Sequence, residues 1–411
     1  MPMWSVGTLF ERLGHFLGGY AFQQPDLRRL YAAIFLSFLG TSISFPLRML
    51  YAQAHGATPA QLGIMGGSFL LAPVLAQVPV GRALDRWGRV PVLMSGLILH
   101  PIIAVLYIPL NSPNELIGLR FVEGIVVSVF QPGLGAYIAD ATPEGHRAEA
   151  YGALSATLNG GLMIGPFIGG LIGQYFGFTS AFLVNFVVEL LALPIVFGRI
   201  HEPAVRRGAS CGEARVGWLE LFTLSLVAVY FAAFCNQIVL GALQSLWAIW
   251  IHDLGGSYTF IGFTFVVFAL PQIFLGTLAG RLADRHGRAV FVFVATAIAG
   301  GVYIAYGYLY SLGIILLLGV IEGVALVFVR PIILDMLAEA SPERARGRVQ
   351  GISGAFGSAG GAAAGFLSIP LYHGSHPAPF LSSGLIIIAG GASAAVAAGR
   401  IARKRVGRPA A

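Results

Sequence analysis

Runs of about twenty apolar residues follow one another from residue 29 to residue 399, broken only by short polar connectors. Each run is long enough to cross the hydrocarbon core of a bilayer, which takes ~20 residues of helix. Six fall at 29–54, 60–81, 90–110, 115–139, 150–173 and 178–199, and six more at 218–250, 258–280, 289–310, 312–336, 348–371 and 379–399. No water-facing surface can be built from what remains. The chain is 56% hydrophobic and 10% charged, against about 25% charged in a soluble domain. The expected fold is all-α and integral to the membrane, since only helices satisfy their own backbone groups in lipid one segment at a time. The 55 glycines suit helices that approach closely through small residues.

The formal net charge of +7 would suggest nucleic acid in a soluble protein. Here the cations sit at the ends of apolar runs, so they read as topology. Clusters such as Arg82/Arg86/Arg89, Arg206/Arg207/Arg215 and Arg344/Arg346/Arg348 follow the even-numbered runs, and the connectors after the odd-numbered ones hold no Lys or Arg. The positive-inside rule then predicts twelve spans with both termini cytoplasmic. The first run begins after Arg28-Arg29 and is too long for a signal peptide, so it reads as an uncleaved span. The expected organisation is a cytoplasmic segment at 1–28, a six-helix bundle at 29–199, a linker at 200–217, a second bundle at 218–399 and a basic tail at 400–411. Cys211 lies in the linker and Cys235 inside an apolar run, which argues against a disulfide framework. The sequence has no Walker loop, no clustered metal ligands and no nucleophile–His–acid constellation. No cofactor, metal or enzymatic chemistry is expected.

A short basic stretch, Gly81-Arg82-Ala83-Leu84-Asp85-Arg86-Trp87-Gly88-Arg89, occurs twice. Its copy is Gly280-Arg281-Leu282-Ala283-Asp284-Arg285-His286-Gly287-Arg288, at an offset of 280 − 81 = 199 residues. At the same offset Glu123-Gly124 matches Glu322-Gly323, Pro132 matches Pro331, Asp140 matches Glu339 and Arg147 matches Arg346. Shared apolar composition would not align Gly, Pro, Glu and Arg together. The chain therefore reads as two parallel six-helix repeats, an architecture of secondary transporters.

The pattern Gly81-x-x-x-Asp85-Arg86-x-Gly88-Arg89 between the second and third spans resembles the signature loop of the major facilitator superfamily. The fifth span carries Gly161-Leu-Met-Ile-Gly165-Pro166-Phe-Ile-Gly169-Gly170, which resembles the motif of that superfamily's drug:proton antiporters. Arg120-Phe-Val-Glu123-Gly124 is similar to a fourth-helix motif linked to proton coupling, with glutamate where the family has glutamine. Many such exporters carry an acidic residue in the first helix; this chain has Arg48 there instead. The resemblance implies a membrane carrier that exchanges protons for hydrophobic or amphipathic small molecules by alternating access. It implies that Asp85 latches the two halves, that Arg89 reaches Asp140, and that the glycine–proline motif bends a helix lining the cleft.

The residues themselves suggest three further roles. Gly81 and Gly88 permit a tight turn, and Asp284 and Arg288 of the second copy read as a more structural counterpart. Arg48, Arg120 and Glu123 can meet at similar depth, and buried charges pair or face the bundle interior. Glu123 and Glu322 are the proton-coupling candidates, Glu322 the better one because Gly319 stands where Arg120 stands in the first half. A static ion network is the alternative. Asn159, Asn236, Gln237, Gln244, Trp247 and Gln272, with His100, Asn185 and Glu189, could line a substrate cleft. The expected partners are a small-molecule substrate, protons and lipid, for a monomeric carrier in a bacterial inner membrane. An uptake symporter or facilitator, and a non-transporting sensor or assembly factor on the same fold, are the competing readings.

Overall fold

The computed structural model describes residues 23–203, 217–286, 288–342 and 345–406, and no strand occurs among them. Most of the expected segments at 1–28, 200–217 and the end of the tail therefore lie outside the described residues. The chain enters α1 (Pro25–Ser44) with a proline in its first turn and Asp26 beside it, a favourable start because proline needs no donor there and the acid meets the positive helix end. Pro46 lacks an N–H, so the first apolar run breaks and resumes as α2 (Leu47–Ala54). There follow α3 (Pro59–Trp87), α4 (Arg89–Leu106), α5 (Pro113–Val127), α6 (Phe130–Ala141), α7 (Arg147–Leu190) and the short α8 (Leu193–Val196). The second half comprises α9 (Trp218–Leu221), α10 (Leu224–Asp253), α11 (Tyr258–His286), α12 (Arg288–Tyr306), α13 (Leu312–Ala340), α14 (Arg346–Gly374) and α15 (Ala378–Val406).

Ten helices among the described residues are long and apolar enough to cross a membrane. Two features bear on the sequence reading. The fifth and sixth runs are two helices, together α7, that meet at Gly177 (φ 81°, ψ 172°), inside the gap left between the runs ending at 173 and starting at 178. The stretch from Gly81 to Trp87 is helix rather than turn, and α3 runs through it. Leu84 is buried and anchors this last portion. A Cβ at Gly81 would meet nothing, so that glycine serves no tight turn. The break falls on Gly88 alone, at φ 95° and ψ 170°.

The chain folds as two compact units. The first contains the described residues up to His55, those from Leu75 into the linker, and Ser257–Phe265. The second contains Gly56–Val74, the described residues from the linker to Gly256, and those from Val266 onward. Each unit thus includes one segment from the other half of the sequence. Each has its own core, and the two cores use equivalent positions. Leu30, Tyr31, Leu93, Phe130, Leu134 and Ile138 are buried in the first. Val229, Tyr230, Val292, Val329, Ile333 and Leu337 stand 199 residues later in the second. The internal repeat therefore extends from motif to packing.

Candidate functional site

The basic stretch is built around the start of α4. Gly88 lifts the backbone out of α3, and the first amides of α4 are left without helical partners. Glu202, at the start of the linker, takes them: its two carboxylate oxygens accept from Arg89 N–H at 2.6 Å and Val90 N–H at 2.8 Å. A Cβ at Gly88 would lie 2.8–3.0 Å from that carboxylate. The Arg89 side chain turns the other way, donating from Nε to Asp140 at 2.8 Å and from NH1 to the Leu84 carbonyl at 3.1 Å. Asp85 and Arg86 are exposed. In the second unit Arg288 reaches Glu339 at 2.6 Å and Asp335 at 2.7 Å. This copy, read from sequence as the weaker one, thus gathers two carboxylates on one arginine. Gly280 and Asp284 lie on the backbone of α11, and their side chains are outside the described residues.

Three of the four proton-coupling candidates form one buried cluster in the first unit. Arg48, Arg120 and Glu123 are 1%, 2% and 0% exposed. Glu123 Oε2 accepts from Arg120 NH1 and from the Tyr107 hydroxyl, each at 2.8 Å, and Arg48 NH1 stands 2.8 Å from Oε1. The Arg48 guanidinium lies 5.6 Å from the centre of the Tyr107 ring. His100 extends the cluster. Its Nδ1 is 2.8 Å from Glu189, and its Nε2 is 3.8 Å from Glu123. Thr41 donates to Glu189 at 2.8 Å. His100 and Glu189 are thus buried partners of one another, and Asn185 is likewise buried, donating to Ser44 at 2.8 Å.

Glu322 lies in the second unit with the same tyrosine beside it. Tyr306 donates to Glu322 Oε2 at 2.9 Å, across 16 residues of sequence, as Tyr107 donates to Glu123 across 16. Around that shared pair everything else changes. Trp247 stands where the offset puts Arg48, Gly319 where it puts Arg120, and Ala299 where it puts His100. Trp247 and Tyr306 have ring centres 5.4 Å apart, so an aromatic ring replaces the guanidinium against the tyrosine. Tyr303 supplies a second hydroxyl to Glu322. Among the described residues no cation pairs with Glu322.

The glycines of α7 make a seam. Added Cβ atoms at Gly161, Gly165 and Gly169 would collide with α1 at Leu39, Ser42 and Ile43, and one at Gly170 would strike the Tyr258 carbonyl. Ser42 Oγ donates to the Gly161 carbonyl at 2.8 Å across the same seam. Pro166 carries the carbonyl that lies against Gly262. Of the expected substrate residues, Asn159 belongs to the first unit and Asn236, Gln237, Gln244, Trp247 and Gln272 to the second. Asn159, Gln244 and Gln272 are exposed and Gln237 is half-buried. Asn236 lies beside Thr296 and Val329, whereas Trp247 lies beside Leu246, Tyr303 and Phe380.

Glu202, Tyr107, Tyr303 and Tyr306 were not singled out from sequence. The offset of 199 residues, applied to tyrosine as it was to Gly, Pro, Glu and Arg, pairs Tyr107 with Tyr306. For Glu202 and for the His100–Glu189 pair no such signal exists.

Comparison with known proteins bears on the whole chain. Residues 30–243 and 229–410 match the Major Facilitator Superfamily. An uncharacterized MFS-type transporter of Methanocaldococcus jannaschii is 23% identical over 67% of this chain and 72% of its own length. Quinolone resistance protein NorA of Staphylococcus aureus is 26% identical over 56% of this chain, and the match spans 57% of NorA. Among solved structures, a bacterial homologue of the human lysosomal transporter Spinster, in an inward-facing and occupied conformation, superposes with a TM-score of 0.70 at 18% identity, covering 92% of this chain and 96% of that one. The human organic anion transporter MFSD10 gives 0.61 at 17% identity, over 90% and 100%. With a matched span reaching nearly end to end, an all-helical fold shared with solved carriers and apolar helices enough for many crossings, the chain belongs to the Major Facilitator Superfamily, as a multi-pass membrane transporter of small molecules and not an enzyme.

Proposed function

We propose that the protein is a proton-coupled exporter of amphipathic small molecules, in which Glu322 carries the proton. The observation that carries this reading is the setting of Glu322, a buried carboxyl held by two tyrosine hydroxyls, with no cation beside it among the described residues. A buried carboxylate without a counter-ion is costly, and a proton is the countercharge that fits without further room. Glu123 is the contrasting case, since two arginines already balance it. The glycine–proline motif of α7 and the similarity to a quinolone resistance protein favour export over uptake.

In this reading α7 crosses the membrane twice, turning at Gly177, and α11 crosses once, which gives twelve spans with both termini cytoplasmic. Forty-four helical residues would extend roughly 66 Å, about twice a bilayer core of ~30 Å. The two bundles, 29–199 and 218–399, alternate access as a monomer in a bacterial inner membrane, and Asp85 with Arg89 and Asp140 forms the cytoplasmic gate. The test uses proteoliposomes with a fluoroquinolone and a pH-sensitive dye inside. An imposed pH gradient should drive drug movement and a counter-flow of protons. Glu322→Gln should lose the gradient-driven movement yet keep drug-for-drug exchange. Undiminished gradient-driven transport by that variant would overturn the assignment.

A further inference from the structure

We infer that Arg48, with Arg120, is the receiving site for an anionic group, and that the molecules carried are amphipaths bearing a carboxylate. The inference rests on the transport reading above and names its substrate class.

The first observation is that two guanidiniums share one carboxylate. Two guanidiniums face the single carboxylate of Glu123 at 2.8 Å each. The other carboxylate of the cluster, Glu189, is engaged by His100 and Thr41. Arg48 therefore has only a shared carboxylate to face, and a second one would give each guanidinium its own.

The second observation is unused bonding capacity. Arg48 Nε and NH1 are buried with no hydrogen-bond acceptor. The Arg48–Glu123 pair is close in distance but lacks the alignment of a hydrogen bond, since Glu123 Oε1 is also without a partner. Buried polar groups are ordinarily satisfied, and a planar guanidinium fork matches the two oxygens of a carboxylate.

The third observation comes from the repeat. The second unit keeps the tyrosine–glutamate pair and dispenses with both arginines, placing Trp247 and Gly319 at their positions. The pair therefore does not need arginine to fold. The arginines of the first unit are an addition, and their chemistry points to an anion. The cluster is closed here, at 1–2% exposure, so the anion enters when α2 and α5 separate, displacing Glu123 from Arg48.

Binding tests this without requiring transport. The purified protein in lipid nanodiscs is titrated with three probes that share one body: 2-naphthoate, 2-naphthamide and 2-naphthylmethylammonium. Naphthoate should bind and raise the midpoint of thermal unfolding, and the amide and the ammonium should not. Arg48→Gln should weaken naphthoate by roughly tenfold or more, the scale of losing a charge-assisted bidentate pair, and Arg48→Lys by less. Glu123→Gln should strengthen naphthoate, because the resident anion is gone, and naphthoate should stabilise that variant more than the wild type. A merely structural cluster would give no such gain. Naphthoate binding no better than the amide, ammonium binding better than naphthoate, or Arg48→Gln binding naphthoate like the wild type would each overturn the assignment. Failure of the export reading shows elsewhere, as absent gradient-driven drug movement in proteoliposomes while naphthoate binding persists.

Discussion

A backbone at φ 95° and ψ 170° admits glycine and little else, so Gly88→Ala is expected to cost about 1–3 kcal/mol. Part of that cost is specific to this chain. The new Cβ would press on the Glu202 carboxylate at 2.8–3.0 Å and loosen the cap over Arg89 and Val90. Glu202→Ala should cost less, about 0.5–1 kcal/mol, since the carboxylate is exposed and acts as a single helix cap. It should still slow transport if the turn must hold Arg89 toward Asp140. Unfolding midpoints in detergent, read beside flux rates, separate the two effects, and an unchanged flux in Glu202→Ala would remove that residue from the gate. Asp85→Asn makes the complementary case. Asp85 is exposed and makes no ion pair among the described residues, so the variant should insert and melt like the wild type while transport is lost. The importance of Gly88 was legible because glycine recurs at a fixed place in a repeated motif. The role of Glu202 was not, because a carboxylate 113 residues away leaves no periodic mark at the turn it caps.

Among the elements, the α1–α7 seam depends on what glycine lacks. Backbone meets backbone along Gly161, Gly165 and Gly169, and the Ile43 carbonyl occupies the space a side chain would need at Gly169. Even alanine should overpack this seam, at a cost of about 1–3 kcal/mol. Gly169→Ala should lower the unfolding midpoint clearly, whereas Gly152→Ala, on the same helix with open space around it, should leave it unchanged or raise it. Equal effects at the two positions would mean that helix propensity, and not packing, governs α7. The seam could be anticipated from four-residue spacing of glycines, because that spacing places them on one helical face. The backbone break could be anticipated too, because Gly177 lies in the gap between the runs ending at 173 and starting at 178. The chain leaves helical φ/ψ at that glycine, where no neighbour obstructs a positive φ. The helical end of α3 could not be anticipated: the basic stretch read as a turn because its glycine, aspartate and arginine content outweighed the burial of Leu84, and α3 runs on to Trp87.

Across the whole molecule the repeat makes one half the control for the other. Glu123 and Glu322 occupy equivalent places and accept from equivalent tyrosines, so a neutral substitution at each poses the same question in two electrostatic settings. Glu123→Gln leaves Arg48 and Arg120 buried without their counter-ion. Breaking a buried pair in this way costs about 3–5 kcal/mol, so the variant should express poorly and melt early. Glu322→Gln removes no partner from any cation among the described residues, and the amide still accepts from Tyr303 or Tyr306. Its unfolding midpoint should stay near that of the wild type. The two variants should therefore separate in opposite directions, stability lost at Glu123 and gradient coupling lost at Glu322. The order of midpoints in one lipid, together with proton flux, decides the matter. If Glu322→Gln were the less stable of the two, Glu322 would have to be an ionised structural anchor, and the proton would have to travel elsewhere.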